Sequence, residues 1–167
     1  VLDTDVPGLV LDLLTVRDTA EYYALLVRNR EHLGRFGNYS DERRATPEWV
    51  LRTLSEEPED GTLRFGIRWD GRLAGRIDLV AVDPPRYSLG YWIDRDATGR
   101  GLVTAAGRAV VAHARDVLGA SELFAGVTHG NRASAAVLER LGFGAVADFD
   151  WYTRFRLPLA WAVCEPV

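Results

Sequence analysis

Midway along the chain the hydrophobic rhythm changes, and this limits the folds open to it. Strand-then-helix units occupy both ends, but the middle holds two apolar runs, Leu63 to Trp69 and Leu73 to Val82, joined by the turn pair Asp70-Gly71. That pattern is the signature of an antiparallel hairpin. A hairpin set among strand-helix units breaks the βαβ repeat of a regular dinucleotide-binding sheet. It favours an α/β or α+β sheet with helices on both faces over a helix bundle or an all-β sandwich.

The flanking segments support this architecture. Leu9 to Leu14 reads as a strand, and Thr15 with Asp18 can cap a helix through Tyr22, Leu25 and Leu26. From His32 to Ala45 periodicity is lost, and this irregular arm, with His32, Arg35, Phe36, Asn38 and Tyr39, is expected to line a pocket. Thr46-Pro47 supplies a cap and a first-turn proline for a second helix. Ser88 to Ile93 is a strand, and a helix from about Leu102 to Leu118 follows. Leu123 to Val127, the turn His129-Gly130-Asn131 and a helix Arg132 to Leu141 closed by Gly142 come next. Strands Ala145 to Phe149 and Tyr152 to Leu157 end the series, bringing the expected sheet to about seven strands.

Composition removes several chemistries. With 167 residues and 18.6 kDa, one domain over 1–167 with a core of about 9–159 is expected. All 20 basic residues are Arg, so neither a lysine Schiff base nor a P-loop lysine is available. Against 24 acidic residues the net charge is -4, so a nucleic-acid partner is not expected and a small ligand is. The lone Cys164 forms no internal disulfide and no cysteine-rich zinc site, and three scattered histidines without HExxH spacing argue against any metal. No apolar run reaches the roughly 20 residues of a membrane span. The start, with Asp3 and Asp5, lacks a basic signal-peptide head, so a cytoplasmic protein is the expectation.

Two short constellations carry chemistry. Arg95, Thr98, Gly99, Arg100 and Gly101 lie between a strand and a helix. Amides at a helix start lack intrahelical acceptors and glycines admit an anion closely, so this junction suits a pyrophosphate, with the arginines adding charge-assisted bonds. It is not a dinucleotide fingerprint, since the third glycine would fall at Thr104. The second constellation is Asn131-Arg132-Ala133-Ser134, where Asn131 is a natural N-cap and Ser134 sits on the first helical turn.

Gly90-Tyr91-Trp92-Ile93, then Gly99-Arg100-Gly101-Leu102-Val103-Thr104-Ala105-Ala106, then Asn131 through Phe143, resemble the GNAT acetyltransferase superfamily, most closely the subgroup of ribosomal-protein alanine N-acetyltransferases. The resemblance runs from about Leu9 to Leu159. It implies a mixed, mostly antiparallel sheet whose central strands splay apart around acetyl-coenzyme A. Amides of the 96 to 101 loop would take the pyrophosphate. Trp92, Ile93, Arg95, Thr98, Gly99, Arg100, Gly101, Leu102, Val103, Asn131 and Ser134 would contact the cofactor. Two positions depart from the family's pattern: Asp96 stands where a basic or amide residue is usual, and Ser88 where a glutamate is.

The implied reaction is acetyl transfer to a primary amine by direct attack in a ternary complex, with no enzyme nucleophile. The resemblance makes Ser134 the proton donor to the leaving sulfur, while Asp78, His129 and a water-ordering Ser88 remain alternative bases. His32, Arg35, Phe36, Tyr39 and Tyr152 are expected on the acceptor side, with Arg35 recognising a carboxylate. The acceptor is a peptide N-terminus or a small-molecule amine, and the protein a monomer or homodimer. Another acyl donor, including an aminoacyl-tRNA, and a noncatalytic acyl-coenzyme A sensor are the alternatives.

Overall fold

In the computed structural model, which describes residues 1–37 and 39–159, one mixed sheet of eight strands runs in the order β1-β2-β3-β4-β5-β6-β8-β7. The strands are β1 (Leu2–Asp3), β2 (Leu9–Leu13), β3 (Leu63–Trp69), β4 (Arg72–Asp83), β5 (Arg86–Ile93), β6 (Glu122–Thr128), β7 (Gly144–Asp148) and β8 (Tyr152–Pro158). All seven strands expected from the sequence are present. The addition is β1, two residues too short to show periodicity, which pairs with Leu11 and Val10. Every pairing is antiparallel except β5 with β6. Asn38, Trp161 and Cys164 lie outside the described residues.

The helices are α1 (Thr19–Arg28), α2 (Arg30–Leu33), α3 (Ser40–Arg43), α4 (Pro47–Ser55), α5 (Leu102–Asp116) and α6 (Arg132–Arg140). The arm read as irregular therefore contains two single turns of helix, α2 and α3, too brief to reveal a 3.6-residue period. Local chemistry sets the starts. Thr15 and Asp18 form a capping box around a 3-10 turn that leads into α1, and the Thr46 side chain accepts from Trp49 N–H at the start of α4. Arg68 on β3 binds Asp12, Asp18 and Glu21, while Glu21 also accepts from Leu73 N–H (2.8 Å), tying α1 to the central hairpin.

Strand alternation divides the sheet between two cores. Ile77, Leu79, Leu89, Leu123 and Ala125 pack with Ala106, Val110 and Leu138 beneath α5 and α6. Leu73 and Trp92 pack with Tyr22, Leu25, Leu26 and Val50 beneath α1 and α4. Helices thus cover both faces, as a sheet apolar on both sides requires.

The parallel pair at the centre is short. β5 and β6 match only at Arg86, Tyr87 and Ser88 with Glu122, Leu123 and Phe124. Beyond that, β5 stays paired to β4 through Ile93 and β6 to β8 through Thr128, yet the two no longer meet each other. At about 3.3 Å per residue, this opens a cleft on the order of 15 Å long. The strand behind it is packed tightly: a Cβ added at Gly75 would lie 2.4 Å from the Trp92 carbonyl oxygen and 3.0 Å from Ile93 Cα. Both are backbone atoms and cannot rotate away. Gly75→Ala is therefore expected to cost about 2–3 kcal/mol of stability, read as a lower urea midpoint at unchanged slope; an unshifted midpoint would show that β4 and β5 part there easily.

Candidate active site

The loop between β5 and α5 is a cradle of free amides. Gly99 and Gly101 both take the left-handed conformation (φ 74° each), and a Cβ built at either meets nothing within 4 Å. The first acceptor bond of α5 runs from Ala105 N–H to the Gly101 carbonyl (3.1 Å). Among the described residues, the amides from Gly99 to Thr104 accordingly donate to no protein acceptor. The expectation placed this donor run at 96 to 101, and the structure shifts it. Asp96 N–H is taken by Asp94 Oδ1 (3.1 Å), Ala97 N–H by the Asp94 carbonyl (2.9 Å) and Thr98 N–H by the Arg95 carbonyl. The cause is a 3-10 turn, Arg95–Ala97, that consumes its own amides.

That turn is anchored from behind. Asn29, fully buried at the end of α1, accepts from Arg95 N–H (3.0 Å) through Oδ1 and donates through Nδ2 to Leu25 O and Asp94 Oδ1. Arg28 completes the set with a 2.8 Å ion pair to Asp94. Burial opposes the charge on Asp94, but the bonds from Arg28, the Asp96 amide and Asn29 outweigh it and hold the carboxyl below the usual range. Arg95 is used through its backbone, and its exposed side chain lines neither cavity of the cleft.

The amide cradle opens into a cavity of about 780 Å³. Trp92, Ile93, Thr98, Gly99, Arg100, Gly101, Leu102, Val103, Asn131 and Ser134 line it, and His32, Arg35, Phe36 and Tyr39 close it from the arm. Arg132 and Arg140 on α6 line it as well. The Arg100 guanidinium lies over the Trp69 ring, 5.0 Å from its centroid. Trp92 both lines the cavity and packs against Tyr22, with ring centroids 6.4 Å apart.

A second space of about 80 Å³ occupies the cleft between β5 and β6. Gly90 and Gly126 line it, and Phe36, Tyr39, Tyr91, Asn131 and Ser134 are shared with the larger cavity. Two hydroxyls meet at this junction. Ser134 Oγ donates to Tyr91 Oη (2.9 Å), and Tyr91 Oη donates to the Ser134 carbonyl (2.9 Å). Asn131 Oδ1 accepts from Ser134 N–H (3.2 Å) and so fixes the first turn of α6. Tyr39 Oη donates to the Tyr91 carbonyl (3.1 Å) on the bare edge of β5. Burial pushes both phenols, Tyr91 and Tyr39, up to about 12. Tyr91 stands in the Gly90-Tyr91-Trp92 run, where nothing local marks it for this role. Its partner lies 43 residues away, so no local spacing signals the pair.

The three candidate bases lie apart from this junction. Asp78 is half-buried on β4, 2.9 Å from Arg76, whose guanidinium also reaches Tyr22 Oη (2.6 Å) and Glu42 (3.4 Å). Burial raises the Asp78 carboxyl despite Arg76, and Oδ1 has no hydrogen-bond partner among the described residues. His129 is exposed, 3.7 Å from Asp148, and Ser88 is half-buried at the last β5–β6 pair. None of the three lines either cavity. Tyr152 lies beside Gly126, where an added Cβ would meet its ring at 3.2 Å, and stacks on Phe149. It flanks the cleft without lining it. Among the described residues no cluster of His, Cys, Asp and Glu could hold a metal, and no helix is long and apolar enough to cross a membrane.

Comparison with known proteins identifies the family and the fold. The family described as "Acetyltransferase (GNAT) domain" matches residues 9–144. Two proteins of Bacillus subtilis (strain 168) are relatives. The probable N-acetyltransferase YjcK is 31% identical over 139 residues, 78% of this chain and 77% of YjcK. YdaF is 28% identical over 145 residues, 81% of this chain and 77% of YdaF. Among solved structures, RimL, a ribosomal L7/L12 alpha-N-protein acetyltransferase in complex with coenzyme A, superposes with a TM-score of 0.81 at 16% identity, covering 92% of this chain and 95% of RimL. The chain belongs to the GNAT acetyltransferase family, with the fold of its RimJ/RimL-like members, and is an acyl-coenzyme A dependent acetyltransferase.

Asp94 should leave a signature in acid. A carboxyl held below its unfolded pKa, near 3.9, contributes stability in full above that value and loses it as pH falls through the lowered folded one. Asp94→Asn should thus be less stable than wild type at pH 7 and lose less stability from about pH 4 downward. Urea titrations across that range read the difference, and parallel curves would contradict the anchoring role.

Proposed function

We propose that this protein transfers an acetyl group from acetyl-coenzyme A to a primary amine by direct attack within a ternary complex. The acceptor is a peptide or protein N-terminus or a small-molecule amine. The observation that carries this reading is the continuity of three features: six free amides at the head of α5, the cleft between β5 and β6, and the Tyr91–Ser134 hydroxyl pair where the two cavities join.

The cradle fits the donor. Open space at Gly99 and Gly101 and a row of unbonded N–H groups suit a pyrophosphate, and Arg132 and Arg140 have no ion-pair partner among the described residues. When bound, acetyl-coenzyme A supplies a thioester carbonyl and a thiolate leaving group. The splayed strands hold the acceptor amine and the thioester in one cleft, which replaces a bimolecular encounter by an oriented one. Backbone N–H groups along Trp92 to Asp94 are the candidates to stabilise charge developing on the carbonyl oxygen. Asp94 N–H is already committed to the Ala74 carbonyl (2.6 Å), and by the alternation of the same ladder Trp92 faces Arg76 of β4, which leaves Ile93 N–H as the candidate. Ser134, coupled to Tyr91, donates the proton to the leaving sulfur. With its phenol near 12, Tyr91 stays protonated through neutral pH and keeps that pair charged with a proton.

Among the described residues no carboxylate lines the cavities, and this favours an acceptor that needs little help to lose its proton. An α-amine with a pKa near 8 is partly neutral at pH 7, whereas a lysine amine near 10.4 costs about 4–5 kcal/mol to deprotonate. With an α-amine acceptor, kcat/KM should rise with pH and level off near 8, with no fall from Tyr91 below about pH 11. A rising limb centred near 6 would instead indicate a histidine base.

Two variants separate binding from chemistry. Gly101→Glu places a strained, negatively charged residue in the cradle and should raise the Kd for acetyl-coenzyme A at least tenfold in calorimetry. Ser134→Ala should lower kcat by roughly 10²-fold with little change in that Kd. Wild type that fails to bind acetyl-coenzyme A would refute the transferase reading. Binding without transfer to any peptide or amine would favour the sensor, and transfer only from another acyl donor would replace the acetyl group.

A further inference from the structure

We propose that the acceptor amine carries a carboxylate, and that Arg35 is the group that recognises it; this rests on the transferase reading above. Among the described residues, neither cavity is lined by any Asp or Glu, whereas His32, Arg35, Arg100, Arg132 and Arg140 all line the larger one. A site built this way repels a second ammonium group and attracts an anion.

The cations divide by element. Arg100 sits on the amide cradle with its guanidinium over Trp69, and Arg132 and Arg140 belong to α6, whose first turn carries Ser134. These three flank the pyrophosphate cradle and the leaving-group hydroxyl. Arg35 comes from a different element, the arm between α2 and α3. The arm that carries it crosses the mouth of the cleft: Gly37 N–H donates to Thr128 Oγ1 (3.1 Å) at the end of β6, and the Phe36 ring lies 3.7 Å from where a Gly130 Cβ would be. Phe36 lines both cavities, and its neighbour Arg35 lines the larger one.

Arg35 is also uncommitted. Its neighbours in the arm are tied down, Arg43 to the Arg30 carbonyl (3.1 Å) and Arg30 to the Ala45 carbonyl (3.3 Å). Among the described residues, the Arg35 guanidinium has neither a hydrogen bond nor an ion pair. Glu42 of α3 and Asp78 of β4 are both bound to the buried Arg76 and line neither cavity. An arginine without a partner that lines the same cavity as Phe36 and Tyr39 suits bidentate recognition of a carboxylate, where both oxygens are matched at once. That carboxylate comes either from a free amino acid or from an acidic side chain close behind a peptide N-terminus. The reaction is the same for both: the N–C bond forms, the C–S bond breaks and the amine proton passes to the thiolate.

The test is a set of matched acceptors assayed for free thiol release from acetyl-coenzyme A. It pairs alanine with alaninamide, an Ala-Asp peptide amide with its Ala-Asn counterpart, and adds spermidine. In at least one pair the carboxylate acceptor should exceed its amide by tenfold or more in kcat/KM, mostly through KM, and spermidine should not exceed background. The pair that responds identifies the source of the carboxylate. Arg35→Gln should erase that preference, Arg35→Lys restore part of it and Arg35→Glu invert it. Equal rates within both pairs, or efficient acetylation of spermidine, would overturn the assignment. So would a tenfold loss of acetyl-coenzyme A binding in Arg35→Gln, which would put Arg35 on the donor. No transfer to any acceptor would remove the transferase reading and this assignment with it; transfer indifferent to the carboxylate would remove this assignment alone.

Discussion

The separation of β5 from β6 after three residue pairs is the constraint on which the site depends. A parallel pair that continued would consume the inner-edge N–H and C=O groups of both strands, leaving neither room nor hydrogen bonds for a ligand. Stopping it exposes backbone groups that must find other partners. One is supplied within the chain, where Tyr39 Oη satisfies the Tyr91 carbonyl. The outer edges keep their antiparallel neighbours β4 and β8, so the cleft is opened without loosening the sheet around it. Gly90 and Gly126, one on each facing strand, line the cleft without adding a side chain to it.

A cleft alone would not align two reactants. The donor loop is held by Asn29 and Asp94, which join the end of α1 to the 3-10 turn ahead of the free amides. Asn29 acts through both ends of its amide, and its complete burial makes those bonds costly to lose. Because the turn spends the amides of residues 96 to 98 on itself, the donor run begins at Gly99, where the left-handed backbone directs the chain into α5. The positive end of that helix and its unbonded amides then act on the same point.

The acceptor wall is built differently. Arg76, buried on β4, binds Tyr22 of α1, Glu42 of α3 and its strand neighbour Asp78. A buried charge of this kind is tolerated only with such partners, and breaking the set would strand the rest. Its effect is to pin α3, and Tyr39 just before it, against the sheet. This explains how an arm without a long helix can present a fixed wall to the cleft. It also explains why Asp78, a reasonable base on sequence grounds, is spent on Arg76 instead of facing the cavity.

The seven longer strands, the long helix α5 and the two anchors at Gly99-Arg100-Gly101 and Asn131 to Ser134 were legible in the sequence, because each is encoded locally. Alternation marks a strand, a cap marks a helix start, and a glycine pair marks a turn that admits an anion. β1, α2 and α3 were not legible, being shorter than the period that would reveal them. Nor were the contacts joining residues far apart in the chain: Ser134 with Tyr91, Asn29 with Arg95, and Arg76 with Glu42. The sequence by itself determined which residues could bind an anion or move a proton, since that is a property of side chains and local backbone. Only the tertiary structure decided which amides are free, which carboxylate is already paired and which arginines are left without a partner among the described residues. Those depend on what the rest of the chain places against each group, and no local pattern records it.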